Sequence, residues 1–331
     1  MRLVSIARRS LATRRTRTAA AALLVTGLQL GVANAAQSIL FIGNSFTYGD
    51  LAPMVRSFHP ETVTDLRGTG IGGVPALFKA FTQQSGLDYD VYLETQPGSN
   101  LDYHYNTWLG LLNRPWDNVV MHGQSNLDFA APNNPAKIST YTGLLGNVFQ
   151  AQNPNVDISL TATWSRADLT YRTPSPWFGA PITAMGIDVH RGYQVAAANN
   201  PTIVSRINPV GLAWNASFEA GIADANPYDG IDPGKINLWA SDAYHASSYG
   251  YYLHALTVFG METGLDPRSL GANESAAREL GFTTQQTLAL QNVAAQTIAV
   301  AAIPEPETWA MMMLGVGAIG VWRRRRAKQV A

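Results

Sequence analysis

Short apolar runs alternate with longer stretches of helical spacing along most of the chain. Residues 38–43 (SILFIG), 89–95 (YDVYLET), 118–123 (NVVMHG) and 156–164 (VDISLTATW) are short and largely apolar. That is the pattern of buried strands. Between them, 75–86 (PALFKAFTQQSG) and 140–152 (TYTGLLGNVFQAQ) read as helices, the first with Pro75 early and Gly86 as its stop. Strands alternating with helices predict a parallel sheet covered on both faces, within one domain that runs from Ala36 to about Val300. Three of the strands run into small or polar residues, and ligands of such sheets gather beyond the carboxyl ends of the strands. The first does so most abruptly: the apolar residues 39–42 lead straight into Gly43-Asn44-Ser45. A hydroxyl is therefore expected where the strand stops.

Charge changes the picture at the two ends. The 331 residues carry 23 basic and 23 acidic side chains. Six arginines fall in the first 17 residues, five basic residues close the chain, and two acids, Glu305 and Glu307, precede that tail. The body between is left with 12 basic and 21 acidic residues. Such an acidic body argues against a nucleic-acid or anionic-membrane surface. The start has the form of an export signal, with an Arg-rich leader, an apolar run and the small-residue site Ala33-Asn34-Ala35, so residues 1–35 are expected to be removed. The chain has no cysteine, which excludes disulfides, thiol catalysis and thiolate metal sites and leaves stability to packing.

Residues 301–331 form a third segment. Pro304-Glu305-Pro306 precedes an apolar stretch from Trp309 to Trp322 and then four arginines. Fourteen residues are short of the roughly 20 that span a bilayer comfortably, although tryptophans suit both interfaces. The segment resembles the PEP-CTERM sorting signal of Gram-negative bacteria. That resemblance implies recognition by an exosortase, transient membrane contact through the apolar stretch, and a final place at or beyond the cell surface.

Chemistry concentrates at the first strand end and in a late block, SDAYHASSYGYYLHALTVFG, residues 241–260. Asp242 and His245 stand three apart, close enough on a turn for the carboxylate to fix the imidazole tautomer and stabilise its protonated form. The pieces together resemble the SGNH (GDSL-type) hydrolases. FIGNSFTYGD matches the first block, with Asn44 where many members carry aspartate. QPGSNLDYH supplies Gly98 for the second, WDNVVMHGQSN fits the third, and DAYHASSYGYYLHA fits the last. The resemblance implies a three-layer α/β/α sandwich with a central parallel sheet. It implies a Ser-His-Asp acyl-enzyme mechanism with Ser45 as nucleophile, His245 as base and then acid, and Asp242 as its orienting partner. The amides of Ser45 and Gly98 and one side-chain amide would form the oxyanion hole, with Asn44 a possible cleft residue; His104 follows Gly98 closely enough to line the same cleft, but an exposed or core-satisfied histidine is the better reading. No cofactor or metal is implied.

The third block departs from the family pattern Gly-x-Asn-Asp. Here Gly123 is followed by Gln124, Ser125 and Asn126, so the amide donor is Gln124 or Asn126, with Gln124 favoured. The same segment resembles the nucleophile block of a sister esterase group, which would make Ser125 the nucleophile. The expected substrate is an acyl ester, an O-acetyl group on a surface or extracellular polysaccharide above all, with lipid esters and thioesters as alternatives. A catalytically silent surface or matrix protein on the same fold is the non-enzymatic alternative.

Two further features have competing readings. GTGIGG, residues 68–73, satisfies a GxGxxG pattern with Glu94 some way beyond, as a dinucleotide fold requires. Only VTDL precedes it as a strand, and an exported protein meets little soluble nicotinamide cofactor, so a flexible turn near the site is the better reading. Trp108, Trp116, Trp164, Trp177 and Trp214 could stack on sugars, but for most of them core packing is the default.

Overall fold

The computed structural model describes residues 36–301; the leader and the sorting segment, with its apolar stretch, lie outside the described residues. Six strands form one sheet: β1 (Gln37–Gly43), β2 (Thr64–Asp65), β3 (Tyr89–Thr95), β4 (Asn118–Met121), β5 (Asp157–Thr161) and β6 (Val204–Asn208). Their order is β2-β3-β1-β4-β5-β6 and every neighbouring pair is parallel. Among the described residues no helix is long and apolar enough to cross a membrane.

The alternation along β1 shows how the layers form. Ile39 and Phe41 point into a core with the helices Gly73–Gln84, Val210–Glu219, Ser248–Thr263 and Thr284–Ala301. Leu40 and Ile42 point into a second core with Leu101–Leu112, Ala136–Gln152 and Thr183–Asn199. All four side chains are at most 2% exposed, and burying each stabilises the sheet by about 2 kcal/mol. A strand buried on both faces needs a continuous apolar run, which is the pattern at 39–42. The result is a three-layer α/β/α sandwich.

Chain order places the site. β1 pairs with β3 on one side and β4 on the other, so the strand order turns there. Crevices open beyond the carboxyl ends of strands at such a point. The segments leaving β1, β3 and β4 there carry Ser45, Gly98 and Gln124 respectively.

The glycine-rich stretch does follow a strand and open a helix. Its amides, however, are already used: the Asp65 carboxylate accepts from the N–H groups of Arg67 (2.9 Å), Thr69 (2.9 Å) and Ile71 (3.4 Å). With the Gly68 N–H on the Asp65 carbonyl and the Gly72 N–H on that of Arg56, most of the loop's amides are turned inward and away from a pyrophosphate. Gly73 has φ +63°, and a β-carbon there would come within 2.6 Å of the Thr47 carbonyl oxygen. Glycine is thus what lets the helix Gly73–Gln84 abut the turn that carries Ser45.

Candidate active site

Ser45 opens a single helical turn, Ser45–Tyr48, and Asn44 caps it. The Asn44 Oδ1 accepts from the Phe46 N–H (3.1 Å), and Nδ2 donates to the carbonyls of Ser99 (3.0 Å) and Gly123 (2.9 Å). One buried amide therefore laces the ends of β1, β3 and β4 together. Aspartate could cap the turn equally well, but it has no N–H for the two carbonyls. That accounts physically for asparagine at this position.

Asp242 and His245 lie in a tight turn before the helix Ser248–Thr263. Asp242 Oδ2 is 2.6 Å from His245 Nδ1, while Oδ1 accepts from the backbone N–H groups of His245 (2.9 Å) and Tyr244 (3.1 Å). Burial raises the Asp242 pKa, but these hydrogen bonds outweigh it and leave the carboxyl below its ordinary range. Ala243, between the two residues, has φ +54°. This left-handed conformation costs a non-glycine residue about 1–2 kcal/mol, and the surrounding hydrogen bonds hold it.

An aromatic column joins this turn to the nucleophile turn. Phe46 stacks on Trp164 (4.0 Å between ring centroids), which stacks on Trp214 (4.7 Å). The Phe46 ring meets the His245 ring edge-on at 5.7 Å. Tyr244 lies against His245 at 4.2 Å and is covered on its other contacts by the Arg166 guanidinium, 3.6 Å from the ring centre. The Tyr251 hydroxyl shares its proton between the carbonyls of Ser45 (3.0 Å) and Asp50 (3.1 Å), 206 and 201 residues away in sequence. Ser45 and His245 are thus brought to the same rim, although the Ser45 hydroxyl makes no hydrogen bond to the imidazole. The group that faces Nε2 is Asp50, its Oδ2 3.7 Å away.

The amide donors separate clearly. Neither the Ser45 nor the Gly98 N–H donates to another described residue. Gly98 sits at φ +66°, a conformation suited to glycine. The Gln124 amide is engaged at both ends, with Nε2 donating to the Gly98 carbonyl (2.9 Å) and Oε1 accepting from Phe129 N–H (2.8 Å). Asn126 is only 5% exposed, its side chain has no hydrogen bond among the described residues, and its Oδ1 is a buried orphan. Gln124 thus braces the Gly98 carbonyl with one of its two N–H groups, whereas the Asn126 amide makes no hydrogen bond among the described residues and is the less committed of the two candidates. Ser125 is 3% exposed, and the side chain beside its hydroxyl is Tyr244 and not a histidine.

Neither possible cleft residue stands open, and for His104 the core placement is one the sequence favoured. Asn44 is 4% exposed, with its amide spent on the lacing described above, and His104 is fully buried. His104 Nδ1 faces the Glu94 carboxylate and Nε2 lies 2.7 Å from the Ser99 hydroxyl. Two more buried histidines adjoin the nucleophile turn. His122 pairs with the Thr47 hydroxyl (2.6 Å) and the Gly123 carbonyl (2.9 Å), and burial pushes its pKa down to about 4 despite that carbonyl. Burial pushes His254 down to about 3. Both are neutral at pH 7. Asp50 and the Glu94–His104 pair escaped the sequence reading, although Asp50 stands within the first block itself.

The comparisons with known proteins concern the C-terminal segment and the fold. The PEP-CTERM protein-sorting motif matches residues 302–326, and this signal indicates export and a surface or extracellular location. Among curated proteins none matches the chain. Of solved structures, a DUF4886 family protein from Bacteroides uniformis superposes with a TM-score of 0.53 at 16% identity, covering 83% of this chain and 99% of that one. A protein described as a GDSL-like lipase from Parabacteroides merdae gives a TM-score of 0.47 at 15% identity, covering 70% of this chain and 98% of that one. A catalytic mutant of Axe2, an acetylxylan esterase from Geobacillus stearothermophilus, gives 0.43 at 16% identity, covering 75% and 95%. At such identities the likeness concerns the fold alone. The chain thus shares its α/β/α fold with the Bacteroides uniformis DUF4886 family protein and carries a PEP-CTERM protein-sorting motif near its C-terminus.

Proposed function

We propose that the protein is an exported serine esterase in which Ser45, His245 and Asp242 form the catalytic triad. Asp242 holds the imidazole by Nδ1, leaving Nε2 to take the Ser45 proton as Oγ attacks the ester carbonyl carbon. The oxyanion is received by the N–H groups of Ser45 and Gly98 and by the Asn126 amide. His245 then returns the proton to the departing alcohol oxygen. Next it deprotonates a water that attacks the acyl-enzyme, and the proton goes back to Ser45. The observation that carries this reading is the Asp242–His245 contact of 2.6 Å, with the carboxylate further held by two backbone amides. It stands beside the turn that displays Ser45 at the end of β1. On this reading the Ser45–His245 hydrogen bond forms on substrate binding, since catalytic contacts in free enzymes are commonly long.

Small acyl esters, O-acetyl groups on a surface or extracellular polysaccharide above all, are the proposed substrates, and the sorting motif at 302–326 supports a role outside the cytoplasm. Turnover of p-nitrophenyl acetate by the full chain, compared with Ser45→Ala, tests the reading: the variant is expected to lose at least about 10³-fold in kcat. Equal rates reject the nucleophile. The absent Ser45–His245 hydrogen bond favours one second reading, a surface binding protein without turnover. An inert wild-type chain that retains glycan affinity would select it.

A further inference from the structure

Behind Gly98 lies a buried row of polar groups that the triad does not use. Glu94, near the end of β3, and His104, in the helix Leu101–Leu112, are each 0% exposed, and Ser99 is 7% exposed. The Glu94 carboxylate meets His104 Nδ1, and His104 Nε2 lies 2.7 Å from Ser99 Oγ. Ser99 Oγ is also 2.8 Å from the Gln96 carbonyl oxygen. Ser99 Oγ is thus held between His104 Nε2 and the Gln96 carbonyl oxygen, and Glu94 fixes the ring at its other nitrogen.

Burying such a row is expensive unless every member is partnered, and one Glu94 oxygen, Oε1, has no partner. An apolar core at these positions would be cheaper, so the row calls for a role beyond packing. Its end point suggests one. In the 96–100 loop the Gln96 N–H is bonded to Gly43 O (3.1 Å), the Ser99 N–H to Gln96 O (3.3 Å), Gly98 O to Gln124 and Ser99 O to Asn44. Pro97 has no N–H. Among the described residues the N–H groups of Gly98 and Asn100 are left over, and that of Gly98 is held in direction by fixed neighbours on both sides.

We propose that Glu94, His104 and Ser99 form a buried strut that aims the Gly98 N–H at the oxyanion. They are positioning residues, acting through Ser99 on a donor that itself touches substrate. The inference rests on the esterase reading. Oxyanion donors act only when fixed in place before the charge develops, and a displacement of about 1 Å can cost on the order of 100-fold.

Steady-state kinetics of the full chain on p-nitrophenyl acetate tests the strut. Ser99→Ala is expected to lower kcat about 10- to 100-fold with KM within about twofold, and Ser99→Thr, which keeps the hydroxyl, to recover most of the loss. An unchanged kcat in Ser99→Ala overturns the proposal, as does a loss that Ser99→Thr fails to recover. Should Ser99→Ala not fold, the wild-type chain labelled with ¹⁵N-histidine provides the second measurement. A His104 Nε2 signal that shifts when methylboronic acid forms its adduct on Ser45, and stays put in Ser45→Ala, supports the strut; an unresponsive Nε2 overturns it. Loss of turnover in Ser45→Ala relative to wild type checks the esterase reading separately, so the two can fail independently.

Discussion

The carboxylate of Asp50 stands 3.7 Å from Nε2 of His245, while Asp242 holds Nδ1 at 2.6 Å. The imidazole therefore has a negative group at each nitrogen. Asp242 is fixed by three hydrogen bonds, but Asp50 is too far from the ring for one and its side chain is 35% exposed. At this distance and partly facing water, the attraction to an imidazolium is about 1 kcal/mol. Asp50→Asn is expected to lower kcat/KM about fivefold, with a difference that shrinks as salt is raised. An effect as large as that of Asp242→Asn would show that Asp50, and not Asp242, is the working partner.

Asp242→Asn keeps the shape of the turn and removes the charge. With an amide facing Nδ1 the ring can settle in the wrong tautomer, and kcat is expected to fall about 10³- to 10⁴-fold. Steady-state rates with and without the substitution, at an unchanged thermal midpoint, check this.

The two candidate amides have different work and so different signatures. Asn126→Ala removes an oxyanion donor and is expected to cost about 10²- to 10³-fold in kcat with little change in KM. Gln124→Ala releases the Gly98 carbonyl and the Phe129 N–H and, on the Asn126 assignment, removes no oxyanion donor, so about a tenfold loss is expected. A larger loss for Gln124→Ala than for Asn126→Ala would reverse the assignment.

Acid should weaken the fold through the buried histidines. His122, lowered to about 4, and His254, lowered to about 3, stay neutral in the native state, whereas in the unfolded chain they take up protons below about 6.5. Their contribution is complete above pH 6.5 and is lost as pH falls through 4 and then 3. It amounts to about 3 kcal/mol for His122. Urea midpoints between pH 7 and pH 4 are expected to decline accordingly. His254 Nδ1 has no partner, so His254→Leu should flatten the lower end of that decline.

Trp164 is fully buried, stacked between Phe46 and Trp214, with its Nε1 donating to the Tyr244 carbonyl at 3.2 Å. Trp164→Ala is expected to destabilise the protein by about 3–5 kcal/mol. It removes the support of both the nucleophile turn and the His245 turn, so activity should fall even in the fraction that stays folded. Denaturation midpoints and active-site titration with a fluorophosphonate separate the two effects.

The central strands were legible because burial on both faces demands uninterrupted apolar runs. At the edges, the two-residue β2 falls within the VTDL run read as a short strand, whereas β6 reads Val-Ser-Arg-Ile-Asn, has only its last residue buried, and needs no such run. At the site, the strand-end serine and the Asp-x-x-His turn follow from local chemistry and could be named in advance. Gln124 could not be told from Asn126, because which amide is already spent depends on the Gly98 loop, 26 residues earlier. Glu94 looked like the ordinary end of a strand until the helix Leu101–Leu112 folded His104 over it.

The shared proton of Tyr251 ties Ser45 and Asp50 to a residue more than 200 positions later. A chain made or translocated from its N-terminus presents Ser45 long before it possesses Asp242 and His245. On the esterase reading, nascent or truncated forms ending ahead of Asp242 are expected to be inert until the late block has docked beside the Ser45 turn.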